Sequence, residues 1–313
     1  MSSSRPGAAG VPVRVLVTGG SGFIGRHVVN SLLDGGSDVV VLDLVGPADP
    51  APAAVVGDVA DPQVVARAIE GCDAVVHLAA LTSVLRSVEH PESTYRTNVA
   101  GTATVAEAAR RAGVARVVLA STNAVAGPQE GVFDERAVLR PLTPYGATKA
   151  AAEMLLAAYD ASYGVRAVAL RFTNVYGPGM ALKDSIVARL MRAALSGATV
   201  DVYGDGRQVR DYVHVHDVAA AVTAGLSDPL WRGPVVIGAG RSVSVLELLA
   251  LTREATGREL PVRHVPAKPG EMPAVRVNPD RAASLGWRPG VSLADGIAGV
   301  WDEWYAASKR VSR

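Results

Sequence analysis

Cysteine is almost missing from this chain: Cys72 is its single thiol in 313 residues. A disulfide framework is therefore impossible, and a four-cysteine metal site is excluded. The six histidines are scattered without a ligand spacing, so no metal is expected. Charge of one sign is not in excess either. The 31 basic and 30 acidic residues leave a net charge of +1, and nothing in that balance points to a nucleic acid or a membrane as partner. An anionic substrate would have to be held by a few placed cations. No stretch approaches the roughly 20 apolar residues of a membrane span. Residues 1–12 are small, polar and proline-containing, without the apolar run of a signal peptide. A cytoplasmic location is the expectation, with residues 1–11 a flexible tail.

What the chain does have is apolar material, 49% of it, in a regular order. Short β-branched runs at 13–17, 39–42, 53–56, 74–78, 117–120 and 167–170 read as buried strands. Helical patterns at 25–33, 62–69, 103–112 and 147–159 separate them. This alternation implies an α/β fold with a parallel, doubly wound sheet and right-handed crossovers. After Thr173 proline, glycine and charge become frequent, and the elements shorten. The reading divides the chain into a nucleotide-binding domain, 12–173 plus 212–240, and a smaller mixed α/β lobe, 174–211 plus 241–308.

The strand at 13–17 runs into Gly19, Gly22 and Gly25 and then a helix, with Phe23 and Ile24 between the last two glycines. One glycine makes the tight turn, the next admits a pyrophosphate, and the third lets helix and strand pack closely. The helix start then offers unpaired N–H groups to the phosphates. Asp43 follows at the end of the second strand, where an acid takes the adenine ribose hydroxyls. Leu44 comes next and not a base that could meet a 2′-phosphate, so NAD is favoured over NADP. Asp58 and Val59, after the third strand, are positioned to flank the adenine. This is the pattern of a Rossmann-type fold.

Tyr145 and Lys149 stand four apart at a helix start, a spacing that places both on one face. Alone, Y-x-x-x-K is common and usually marks a helix surface. An ammonium beside a phenol would lower the pKa of that phenol from about 10. The strand before them ends Ala120-Ser121-Thr122 and supplies a hydroxyl. Together Gly19–Gly25, His77-Leu-Ala-Ala80, Ser121-Thr122, Tyr145/Lys149 and Arg171–Gly177 resemble the extended short-chain dehydrogenase/reductases, in their nucleotide-sugar epimerase/dehydratase branch. The likeness runs from Val13 to about Tyr305.

The resemblance implies a tightly bound NAD and a UDP-sugar substrate. It also implies a homodimer formed through the helices at 103–112 and 147–159. It makes Tyr145 the catalytic acid/base, with Lys149 and Thr122, and adds Leu78, Ala79, Ala80 and Asn98 to the cofactor contacts. In the second lobe Asn174 matches the residue that contacts the diphosphate. Val202–Gly206, which includes Tyr203, with Arg210 matches the nucleotide-binding turn and its clamping arginine. Lys268 and Glu271 match a phosphate-and-ribose element. Val187 joins the substrate contacts, and Val275 occupies the place of a gate residue for a C2 substituent.

Dehydratases of the branch carry Asp-Glu after the catalytic Ser/Thr, and decarboxylating members keep the Glu. Here that place is Asn123-Ala124, and neither side chain is an acid or base. What is left is oxidation at C4 and return of the hydride, which is 4-epimerisation. UDP-glucuronate is the expected sugar, with Arg192 as leading carboxylate partner and Arg86, Lys183 and Arg189 as further candidates. UDP-glucose/galactose or an N-acetylhexosamine is the runner-up. The other readings are a 4-keto-sugar reductase and a non-catalytic NAD-binding regulator. Two places depart from the family: Ala126 stands for its usual tyrosine, and Gly179-Met180 for the arginine after Tyr-Gly-Pro in glucuronate epimerases.

Overall fold

The computed structural model describes residues 14–128, 131–266 and 274–311. Seven parallel strands form the main sheet, in the order Gly233–Ile237, Arg166–Phe172, Arg116–Thr122, Ala74–His77, Arg14–Thr18, Asp38–Asp43 and Ala53–Val56. The order reverses between Arg14–Thr18 and Ala74–His77, so the crevice above their carboxyl ends is where a ligand is expected in a doubly wound sheet. The inner strands are buried on both faces. One core holds Val15, Val17, Val76 and Val118; the opposite one holds Leu16, Val75, Val117 and Leu119. The continuous Val/Leu runs of the sequence follow from this double burial.

Helix ends are set locally. Thr143 caps Pro144–Tyr163 through the Gly146 amide at 3.3 Å, Pro144 occupies the first turn, and Gly164 closes the helix at φ 72°. Ser185 caps Ile186–Ser196 in the same manner, and Gly197 ends it at φ 71°. Ser244 and Glu247 make a reciprocal capping box on Val245–Thr256.

A third core gathers Ile186–Ser196, Val245–Thr256 and Leu293–Val311 around Tyr176, Leu190, Leu248 and Trp301. The sheet and core groupings depart from the sequence-based division in two places. That division places Tyr212–His214 with the main sheet, but the strand Val209–His214 pairs with Asn174–Tyr176 and Ser242–Ser244 in a separate three-stranded sheet. Helix Val215–Ser227 and strand Gly233–Ile237 do return to the main sheet. Ala282 and Trp287, placed in the second lobe by the sequence, pack into the first core. Among the described residues no helix is long and apolar enough to cross a membrane, and no group of three or more ligating side chains is placed to hold a metal.

Candidate active site

The glycine turn is built for close approach. A Cβ on Gly25 would stand 2.1 Å from the Gly19 carbonyl, and one on Gly19, itself at φ 73°, would stand 2.7 Å from the Ala79 amide. Gly22 is the least crowded of the three, a Cβ there meeting only the Gly19 carbonyl, at 3.2 Å. Asp43 braces this turn by accepting from the Ser21 amide at 3.0 Å and from the Leu44 amide at 2.7 Å. A carboxylate has about four acceptor sites, so capacity for ribose hydroxyls remains.

A cavity of about 510 Å³ opens above the turn and the strand ends. Of the cofactor residues expected from sequence, Gly19, Gly22, Phe23, Ile24, Gly25, Asp43, Asp58, Val59, Leu78, Ala79, Ala80, Tyr145 and Lys149 all line it. Asn98 does not. It is buried beneath the wall, where its side chain brackets the Leu81 backbone (2.8 and 3.0 Å) and donates to Thr148 Oγ1 at 3.0 Å. Asn98 thereby joins the strand-end loop to the Tyr145–Lys149 helix. Sequence reasoning missed Arg96 and Thr97 on the cavity wall. They lie in a π-helical turn, Arg96–Ala100, whose register no helical periodicity reveals. Arg96 pairs with Asp58 at 2.7 Å.

Tyr145 and Thr122 meet at the other end of the cavity, where the Thr122 hydroxyl hydrogen-bonds the phenol. Thr122 also caps the turn Asn123–Val125 through the Ala124 amide at 3.2 Å. Burial pushes the Tyr145 phenol up to about 12, against the Thr122 hydrogen bond. The Lys149 ammonium donates to the Ala120 carbonyl at 2.8 Å, and burial moves its own pKa down to about 8 with Glu153 opposing. Below them lies a buried chain of contacts. Ser121 donates to Glu153, and Glu153 pairs with Arg171 at 2.8 Å. Ser121 and Arg171 face each other across neighbouring strands, which places both on one side of the sheet.

A second pocket of about 280 Å³ adjoins in the smaller lobe. Asn174, Val187, Tyr203 and Arg210, all expected at the substrate, line it together with Arg189 and Gln208. Lys268 and Glu271 lie outside the described residues. Arg86 is exposed and Arg192 is exposed, and neither lines either cavity. Arg192 donates to the Ala181 carbonyl at 3.1 Å and the Lys183 carbonyl at 3.4 Å. In this structure the guanidinium meets the loop before its own helix. Val275 is buried and lines a small cavity with Asn123.

The NAD dependent epimerase/dehydratase family matches residues 15–238 of the chain. The chain belongs to that family. It is an NAD-dependent enzyme with the extended short-chain dehydrogenase/reductase fold, and the glycine cradle, Asp43 and the long cavity fit that cofactor. The solved UDP-glucose 4-epimerase of Thermus thermophilus, in complex with NAD, is similar at 36% identity and TM-score 0.88, over 94% of this chain and 99% of the other. MoeE5 in complex with UDP-glucuronic acid and NAD is similar at 37% and 0.86, again over 94% and 99%. A dTDP-glucose 4,6-dehydratase of Streptomyces griseus is 37% identical over 93% of each chain. Overall likeness therefore does not separate epimerase from dehydratase, and the site must.

Proposed function

We propose that this family member is a UDP-sugar 4-epimerase that keeps its NAD bound from one turnover to the next. One observation carries the reading. Among the described residues, the carboxylates lining the cavity are Asp43 and Asp58, and no acid accompanies Tyr145. Asp43 ends a strand that is three neighbours away from the Thr122 strand, about 14 Å at the usual strand spacing. Elimination or decarboxylation at the sugar needs a second acid/base there, and Asn123-Ala124 supplies none. Proton transfer at one hydroxyl is what this site can do.

Tyr145, hydrogen-bonded to Thr122, takes the proton of the C4 hydroxyl and later returns it to the C4 oxygen, while inversion comes from hydride return to the opposite face of C4. NAD, when bound, supplies the acceptor and donor of hydride. Lys149 holds its ammonium beside the strand end, and the second pocket holds the nucleotide through Asn174 and Arg210. The sugar is read as UDP-glucuronate, one of the two UDP-sugars found in complexes of MoeE5, the other being UDP-glucose. UDP-glucose is the second reading, favoured by the named activity of the Thermus neighbour. A homodimer through helices Gly101–Ala112 and Pro144–Tyr163 completes the proposal.

Proton NMR of the purified protein with UDP-glucuronate and no added cofactor tests it. Appearance of UDP-galacturonate at a fixed final ratio is the expected result. Conversion of UDP-glucose to UDP-galactose alone would keep the reaction and change the sugar. Silence from both, even with NAD supplied, would overturn the epimerase reading in favour of a 4-keto-sugar reductase.

A further inference from the structure

Three cations line the cavity that holds Tyr145: Arg96, Lys149 and Lys183. Two are engaged. Arg96 pairs with Asp58, and Lys149 is bound to the Ala120 carbonyl. Lys183 differs: its ammonium lies 5.8 Å from the centre of the Phe23 ring, and no carboxylate among the described residues pairs with it. Burial alone moves its pKa down, with no opposing anion. A partly buried ammonium that lacks a carboxylate is costly unless a ligand brings one.

The loop that carries Lys183 is held from three sides. Arg26 and His27, on the helix of the glycine turn, meet the Gly179 and Pro178 carbonyls at 2.9 Å each. Glu303 accepts from the Gly179 amide at 2.8 Å. Arg192 holds the Ala181 and Lys183 carbonyls. So much anchoring of a connecting segment places Lys183 where its head group matters. Its neighbours along the chain, Asp184 to Val187, line the nucleotide pocket. Lys183 lines the first cavity and the next residue along the chain, Asp184, lines the second. A UDP-sugar with its nucleotide in the second and C4 at Tyr145 must lay its ring between the two, and C6 is attached to the ring beside C4.

We propose that Lys183 selects the sugar by pairing its ammonium with a carboxylate at C6 of a UDP-hexuronate, and that Arg192 positions it by fixing the loop. The assignment rests on the 4-epimerase reading above. It moves the recognition of the carboxylate from Arg192, which the sequence favoured, to a residue that reaches the cavity.

The test compares kcat/KM for UDP-glucuronate and UDP-glucose in the purified holoenzyme and in Lys183→Met and Lys183→Arg, with the NAD content of each measured after release. Where UDP-glucose is not turned over, its inhibition constant takes the place of kcat/KM. Lys183→Met should lower the UDP-glucuronate value by about 10- to 100-fold, the range of a charge-assisted hydrogen bond. The loss should fall mainly in KM, with UDP-glucose and NAD content little changed. Lys183→Arg should retain most of the preference. Equal losses for both sugars would assign Lys183 to the diphosphate, and loss of NAD would assign it to the cofactor; either result overturns the proposal. Arg192→Ala, which frees the loop and leaves the Lys183 charge, should reduce the preference by less. An equal or larger loss would return the carboxylate to Arg192. A wild-type enzyme that epimerises UDP-glucose but not UDP-glucuronate sinks this inference alone, whereas one inert toward both sinks the epimerase reading with it.

Discussion

Tyr145 is a weak acid in this site. Its phenol is pushed up to about 12 by burial, with Thr122 as its described hydrogen-bonding partner, so the phenolate that takes the C4 proton needs a nearby positive charge, which the nicotinamide ring of NAD would supply when bound. Lys149, moved down to about 8, holds its charge below that pH and loses it above. The pair is thus poised by two opposite effects of the same dry pocket: burial disfavours the phenolate and the ammonium alike. Tyr145→Phe removes the proton carrier and one hydrogen bond. Turnover should fall by about 10²- to 10⁴-fold, the usual contribution of a positioned acid/base. The thermal midpoint should move little, since one hydrogen bond contributes about 1 kcal/mol. Steady-state rates and a melting curve on the same preparation check both; an active variant would remove Tyr145 from the mechanism.

At the scale of the element, the glycine turn separates two uses of one residue type. Gly25 is needed for packing, because its Cβ would collide with the Gly19 carbonyl at 2.1 Å. Gly22 is needed for the ligand, because its Cβ would meet only that same carbonyl at 3.2 Å and otherwise point into the space a phosphate needs. Gly22→Ala should therefore fold with a near-unchanged thermal midpoint yet purify without NAD. Gly25→Ala should lose both stability and cofactor. Absorbance and chromatography of released NAD, set beside melting curves, would distinguish them. Equal NAD content in Gly22→Ala and the parent would show that the phosphate does not pass there.

Across the whole molecule, two buried histidines tie stability to pH. His77 lies between Thr18 Oγ1 at 2.7 Å and Thr102 Oγ1 at 3.0 Å, and burial holds its pKa down to about 3. His214, packed against Tyr176 and His216, is lowered to about 4. The unfolded chain protonates both near 6.5 while the folded protein keeps them neutral. Their contribution is fully present above pH 6.5 and is lost as pH falls through their folded values, by up to about 1.4 kcal/mol per histidine per pH unit. Denaturant midpoints between pH 7 and 4 should decline accordingly, and His77→Asn should flatten that decline; an unchanged slope would show that another group governs acid sensitivity. The proposed homodimer belongs to this scale as well. The helix pair leaves Met154 66% and Tyr163 59% exposed, Tyr163 lying under Arg110 of the Glu107–Arg110–Arg111 cluster, and a single species of twice the monomer mass should appear in sedimentation at micromolar concentration.

Much of this was legible in the residues themselves. Strand–helix alternation, the glycine spacing, Asp43 and Tyr145/Lys149 are local signals, because a buried parallel strand, a phosphate turn and a helix face each constrain residues within a few positions of one another. Ten residues of the cofactor cavity could be named from them, and the family resemblance added Leu78, Ala79 and Ala80. Only the tertiary structure decided the rest. Asn98 joins the Leu81 backbone to Thr148, the Lys149 ammonium donates to the Ala120 carbonyl, and Arg192 meets the loop carbonyls of Ala181 and Lys183. In each case the deciding fact is which partner a long polar side chain meets across the fold. Helical spacing says which face such a residue occupies. It does not say whether the space above that face is a ligand, a backbone carbonyl or water, because that neighbour comes from a part of the chain far away in sequence.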